Sequence, residues 1–148
     1  MTTFDGGDGA GGSEHLAFHS NLELEPLCAA IQKALDLPAF QLDAENETAW
    51  GFARREGVEY NVSMPYEDGT LQAWDESVPP WCNVGLTLLL DEDHPRAGDA
   101  SWVIGTLVCT VGEALAVALG RPVVYHRTSL RGAQRGFWPH LFQPPGGA

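Results

Sequence analysis

Apolar and polar residues alternate in several short segments of the chain, which is the pattern of β-strands that bury one face. The clearest case is residues 58–64, in which every second residue is apolar. Short polar turns at residues 44–47 and 55–57 separate neighbouring segments and predict hairpins. The predicted strands cover residues 15–20, 39–43, 48–54, 58–64, 82–90 and 122–127.

Two segments have the spacing of helices instead. In the first, the apolar residues recur every three or four positions and so form a stripe on one face of a helix. They are Leu24, Leu27, Cys28, Ile31 and Leu35. Pro38 ends that helix. A second helix is predicted over residues 102–119. Asp99 or Ser101 can cap its N-terminus, and Gly120 ends it.

The elements follow the order β-α-β-β-β-β-α-β, which indicates an α+β fold with an antiparallel β-meander sheet covered by two helices. Chain direction alternates in a meander, so every second connection lies at the same end of the sheet. The upper end is predicted to contain residues 44–47 and 65–81, and the lower end residues 55–57 and 91–100.

The length of 148 residues is that of one domain, predicted over residues 15–128. Residues 1–14 are Gly-rich and acidic, which predicts a disordered leader and not a signal peptide. Residues 129–148 form a basic, aromatic C-terminal tail. The apolar run 102–119 contains Glu113 and is interpreted as a core helix, not a membrane span. We therefore expect a cytoplasmic protein.

The charges are distributed unevenly along the chain. The formal net charge is −12, and all 20 acidic residues lie in residues 1–120 with four of the eight basic residues. Residues 121–148 hold the other four basic residues and no acid. An acidic body disfavours nucleic-acid binding, which requires the opposite sign. It favours a basic protein as the partner, although acidity can also serve solubility alone.

The acidic residues of the two ends have different predicted roles. At the lower end, arginines lie close enough in the predicted fold to neutralise the acids, so these residues are structural ion-pair candidates: Arg54, Arg55, Asp91, Asp93 and Arg127. At the upper end no basic residue is expected, and the acids converge beside two tryptophans. The predicted partner-binding rim is Asp43, Glu45, Glu47, Glu67, Asp68, Trp74, Asp75, Glu76 and Trp81.

No residue pattern predicts a metal, a cofactor or a catalytic site. The acidic run 91–93 lacks the alternating ligands of an EF-hand. Cys28, Cys82 and Cys109 lie in apolar segments without C-x-x-C spacing and predict buried, reduced thiols. The chain has no G-x-S-x-G motif, and its acids lie in turns and not on rigid strands. A protein that is not an enzyme is therefore expected.

Residues 15–130 resemble small bacterial immunity proteins of polymorphic toxins, which are delivered by contact-dependent or type VI secretion in interbacterial competition. The resemblance lies in Asn61, Pro65 and Tyr66, in the strand start Cys82-Asn83-x-Gly85, and in His126-Arg127-Thr128 at the last strand. It implies a cytosolic protein without enzymatic activity that binds and neutralises one cognate toxin. The acidic rim would then cover the basic active site of that toxin.

Two other functions are weighed against this one. A small acidic secretion chaperone would also bind an effector protein, but as a dimer with exposed apolar strips on its helices. Helix 24–36 has polar residues opposite a single apolar stripe, which favours the immunity protein and a monomer. The third possibility is an uncharacterised hydrolase.

Overall fold

The computed structural model of the protein describes residues 13–67, 69–74, 78–126 and 140–144. The strands in this part of the chain are β1 (Ser13–Phe18), β2 (Gln41–Glu45), β3 (Thr48–Arg55), β4 (Val58–Ser63), β5 (Val84–Leu90), β6 (Val123–His126) and β7 (His140–Phe142). The helices are α1 (Leu24–Leu35), the short α2 (Thr70–Trp74) and α3 (Ala100–Leu119).

The strands form a single sheet in the order β2-β3-β4-β5-β1-β6-β7. All six neighbouring pairs are antiparallel. The predicted α+β fold is therefore confirmed, with β2 to β5 as the meander. Because the strand directions alternate, the β2–β3 turn and the β4–β5 connection share the upper end. The β3–β4 turn and the segment after β5 share the lower end.

The sequence did not predict all of the elements. β7 lies inside the segment interpreted as a tail, and α2 lies inside the segment interpreted as a loop. β5 begins at Val84 and not at Cys82. The reason is Asn83, whose side chain accepts a hydrogen bond from the Ser20 N–H and donates one to the Ser20 carbonyl, both at 2.9 Å. This pair of bonds ties the start of β5 to the end of β1.

The core lies between one face of the sheet and the helices α1 and α3, and we call this face the helix face. Several strand residues on this face are completely buried, for example Phe18, Val62 and Leu86. Ile31 from α1 and Leu115 from α3 meet them with no exposed surface. Each such side chain contributes about 1.5–3 kcal/mol through its removal from water. Among the described residues, α2 covers part of the other face of the sheet, which we call the open face.

The helix α3 begins and ends as its sequence predicts. The Asp99 carboxylate accepts the Trp102 N–H at 3.1 Å, and Gly120 adopts the left-handed conformation with φ 65°. Between them, residues Val103–Val108 form a π-helical turn. By length and apolar composition Ala100–Leu119 could cross a membrane, but 39% of its most apolar window is buried inside the fold, and soluble core helices meet the same criterion.

The strand β7 is attached to α3 by one close contact. The ring of Phe142 lies over Gly112, where a Cβ atom would be only 2.3 Å from two of the ring carbons. Phe142 is 5% exposed. Only glycine allows the strand to approach the helix this closely. The C-terminal segment is thus part of the packed fold at this point.

Candidate functional site

At the lower end, Arg54 neutralises two acids. Its Nη2 atom lies 2.5 Å from an Asp91 carboxylate oxygen, and its Nη1 atom lies 3.2 Å from Glu59. The hydrogen bonds to Asp91 and then to Glu59 raise the pKa of the Arg54 guanidinium above its ordinary value. Because all three side chains are partly exposed, the pairs add little to stability.

The other predicted ion-pair residues of the lower end behave differently. Arg55 does not pair with the 91–93 loop, because its Nη1 donates to the carbonyl oxygens of Leu35 and Asp36, which end α1. Its carboxylate neighbour is Asp36, at 3.6 Å. Within the described residues Asp93 forms no ion pair, so its predicted pairing stays a prediction. Arg127 lies outside the described residues.

At the upper end, the acids of the β2–β3 hairpin are exposed. These are Asp43, Glu45 and Glu47, and Glu67 is exposed on the β4–β5 connection. In the part of the chain that the structure describes, none of these four forms an ion pair. Asp68, Asp75 and Glu76 lie outside the described residues.

The hairpin turn holds Glu47 in an unusual conformation. Asn46 and Glu47 have φ angles of 53° and 67°, so both are left-handed, as a two-residue type I′ turn requires. Asparagine tolerates this conformation, whereas a glutamate there costs about 1–2 kcal/mol. Glycine is the usual residue at the second position. The carboxylate of Glu47 is thus kept at the tip of the hairpin at some cost to stability.

Both predicted tryptophan anchors are exposed, Trp74 by 67% and Trp81 by 41%. Trp74 meets the Tyr66 ring edge-on, with centroids 5.1 Å apart. Its helix, α2, is held on the open face by Leu71, which packs against a small buried cluster containing Ala17 of β1. That position separates Trp74 from the hairpin.

Among the described residues of the predicted rim, Trp74 and the acids of β2 therefore lie on two separate surfaces. Trp74 lines a cavity above β5, β1 and β6, whereas Asp43 and Glu45 lie on β2. β2 and β5 are three strands apart, which is about 14 Å at the usual strand spacing. We call residues 43–47 the acidic hairpin from here on.

The prediction that the upper end has no basic residue is wrong. Arg121 follows α3 at this end, and its Nη1 lies 2.9 Å from His19 Nδ1. It precedes β6, which is four strands from β3 and so about 19 Å from the hairpin. Arg121 therefore leaves the charge of the acidic hairpin largely unscreened.

The open-face cavity brings together residues that lie far apart in the sequence. It has a volume of about 340 Å³, and its base contains His15, Thr87 and His126. His15 Nδ1 lies 3.2 Å from Thr87 Oγ1, and the two imidazole rings are 6.0 Å apart. Such a site can hold an apolar group against two hydrogen-bonding rings. Only the pairing of β1 with β6 makes the two histidines neighbours, so their scattered sequence positions give no signal.

A second cleft, of about 580 Å³, opens at the lower end between α1 and α3. Tyr60 lies at its floor, and Arg55 and Trp102 are at its sides. Burial raises the pKa of the Tyr60 hydroxyl, an effect that the nearby Arg55 charge opposes and Glu56 reinforces. The phenol is therefore a neutral hydrogen-bonding group. The cleft has the size for a small amphipathic molecule, and its lining carries both signs of charge, from Arg55 and from Asp36 and Glu56.

The cysteines are free thiols. Burial raises the pKa of Cys28 to about 11 and that of Cys82 to about 12, and burial and then Glu113 raise the pKa of Cys109. All three are therefore protonated at neutral pH and poor nucleophiles. Within the described residues no three histidine, cysteine or acidic side chains are grouped to hold a metal ion.

Comparison of the chain with protein-family models, curated proteins and solved structures found no significant match.

Proposed function

We propose that this protein is an immunity protein, which binds a cognate bacterial toxin through the acidic hairpin and covers a basic surface at the active site of that toxin. The proposal does not include an enzymatic activity or a bound cofactor. The binding would occur in the cytoplasm, by a monomer.

The observation that carries the proposal is the difference between the two ends. At the lower end Asp91 and Asp99 contact arginines of the same chain. The acidic hairpin has three exposed carboxylates and no such contact within the described residues. Like charges at one tip repel one another, and Glu47 adds backbone strain. A basic partner would relieve the repulsion and would be steered toward the hairpin over long distances.

The surface of α1 favours an immunity protein over a secretion chaperone. Its buried residues are Leu27, Cys28 and Ile31, which form a single stripe on the core. The opposite side exposes Glu25 and Lys33 and gives no apolar strip for an unfolded effector segment.

The proposal is tested by reversing the sign of the charge on the acidic hairpin. The triple variant Asp43→Lys, Glu45→Lys and Glu47→Lys should lose protection against the cognate toxin. The toxin to use is the C-terminal domain of any large secreted protein whose gene is found immediately upstream of the gene for this chain. Stopped-flow association with that domain should become slower by tenfold or more at low salt. The rate should also no longer fall as salt is raised, because the hairpin no longer attracts a basic surface.

A matched control makes the same change in charge elsewhere. Glu56, Glu92 and Asp93 are exposed at the lower end. Replacing these three with lysine should leave protection and association nearly unchanged. Full protection by the hairpin variant, or equal losses in both variants, would contradict the proposal.

A further inference from the structure

We propose that the free edge of β2 binds an extended, basic segment of the partner protein by adding a strand to the sheet. This inference rests on the proposed function, for which it names the contact surface and the chemistry of the partner segment. β2 is the outermost strand of the sheet. All five of its residues are exposed, and none of the residues that the structure describes pairs with this edge.

The hairpin turn determines which backbone groups of β2 face outward. In a two-residue turn at Asn46 and Glu47, the flanking residues Glu45 and Thr48 form the first hydrogen-bonded pair. Hydrogen-bonded and non-hydrogen-bonded pairs then alternate along the ladder. The N–H and C=O groups of Leu42 and Ala44 consequently point away from β3.

Two hydrogen bonds agree with this assignment. Ala49 lies opposite Ala44, and its carbonyl oxygen accepts the Met64 N–H at 3.0 Å, on the side away from β2. The Ala44 N–H donates to the side chain of Asp43 at 2.8 Å and not to β3. The carbonyl oxygen of an added strand can replace the Asp43 carboxylate at this N–H. That exchange would also release the carboxylate to contact a cation.

The side chains of β2 specify what kind of strand can bind. Asp43 and Glu45 lie on the open face, and Leu42 lies on the helix face with 47% of its surface exposed. A second copy of this chain would place carboxylates against carboxylates, so the edge is protected against self-association. A segment with Lys or Arg at alternate positions would place cations beside Asp43 and Glu45. Apolar residues between those cations would cover Leu42, and main-chain bonds would supply affinity as in other strand additions.

The test uses the whole protein and three synthetic seven-residue peptides. The first alternates Lys and Val, and the second alternates Glu and Val. The third is the Lys–Val peptide with an N-methyl group on every peptide nitrogen, which removes the main-chain donors of both edges. NMR titration should show binding of the first peptide and at least tenfold weaker binding of the other two. At saturation, amide hydrogen exchange at Leu42 and Ala44 should slow by at least tenfold.

Two substitutions examine the edge itself. Ala44→Pro removes the outward N–H and is compatible with an edge strand, whereas Ala44→Val retains the N–H. The proline variant should bind the Lys–Val peptide at least fivefold more weakly, and the valine variant should bind it normally. Circular dichroism reports whether both remain folded. No binding of the Lys–Val peptide, or equal binding of its N-methylated form, overturns strand addition.

The cognate toxin separates this inference from the proposed function. If the lysine triple variant loses protection while Ala44→Pro protects fully, the acidic hairpin binds by charge alone and strand addition is overturned. If the Lys–Val peptide protects the edge amides but the protein neutralises no toxin, the proposed function is wrong and the edge serves another basic partner. Dimerisation of the free protein through β2 would also overturn the inference.

Discussion

At the scale of single residues, three positions depend on the particular residue that the sequence places there. Glu47 occupies a left-handed turn position, and Gly51 lies so close to α1 that a Cβ atom would be 2.6 Å from Cys28 Sγ. Arg55 caps the end of α1 through the carbonyl oxygens of Leu35 and Asp36. The first of these features costs stability at the tip of the acidic hairpin, and the other two stabilise the packing of α1 on the sheet.

Replacing Glu47 by glycine should raise stability and weaken partner binding together. Glycine adopts φ 67° without strain, so we expect a gain of about 1 kcal/mol, or about 2–4 °C in Tm for a chain of this length. Thermal unfolding followed by circular dichroism measures it. Glu45→Gly is the control, because an extended residue gains nothing from glycine and the strand should be weakened. A loss of stability in Glu47→Gly would show that the turn is not strained.

Asp99 gives a prediction about pH. The Trp102 N–H and then Arg96 stabilise its carboxylate, so its pKa in the folded protein is lowered below the ordinary value of 3.8. The unfolded state therefore takes up the proton first, and the contribution of Asp99 is present above about pH 3.9 and is lost as pH falls through the folded pKa. Asp99→Asn keeps a capping side chain without a titrating group. Its urea-unfolding stability should therefore fall less than that of the wild type between pH 5 and about pH 3. An identical decline in both proteins would contradict this.

At the scale of elements, closeness in the sequence does not decide which strands become the neighbours of β1 and β7. β1 precedes α1 in the chain but lies between β5 and β6 in the sheet. β7 joins the edge next to β6 and is held against α3 by Phe142 on Gly112. The last strand and the long helix therefore stabilise each other.

Gly112→Ala should displace β7. The added methyl group would overlap the Phe142 ring, and such overpacking costs about 1–3 kcal/mol. Phe142→Leu should restore part of the loss in the double variant, because the two sites are in contact. Gly105→Ala is the matched control on the same helix, where nothing lies within 4 Å, and it should be neutral or stabilising. Chemical denaturation of the four variants measures these differences. Additive losses would mean that Phe142 does not rest on Gly112.

At the scale of the whole molecule, the net charge of −12 sets the response to salt. Like charges repel across the acidic surface, and salt screens them over about 10 Å at 0.1 M. The same repulsion opposes pairing of two β2 edges, which fits the proposed monomer.

Raising sodium chloride from 0.02 M to 0.3 M should therefore raise Tm by about 2–4 °C, the shift that about 1 kcal/mol produces in a chain of this length. The lysine triple variant of the acidic hairpin changes the net charge by six, from −12 to −6, and should respond less. Differential scanning calorimetry compares them. A lower Tm at high salt would show that attraction between charges outweighs repulsion in this protein.

Periodic patterns by themselves determined most of the secondary structure and the antiparallel meander. The stripe on α1 and the alternation in β4 specify which side is buried, because each pattern has the period of its own element. Asn46 is a residue that hairpin turns favour, and Asp99 and Gly120 delimit α3 by local hydrogen bonding and backbone freedom. A meander then gives the ends of the sheet, because neighbouring strands must alternate in direction. The separation of the acids into upper and lower groups follows from that.

Only the tertiary structure decided what these local patterns leave open. Arg55 caps α1, the open-face cavity unites His15 with His126, and Trp74 lies away from the acidic hairpin. Each depends on contacts between residues far apart in sequence, which no local period encodes. β7 was not predicted because three residues are too few to show an alternation. Its position is set by the contact between the Phe142 ring and Gly112. The edge of β2 likewise follows from the strand order, because β3 is its one neighbour among the described strands.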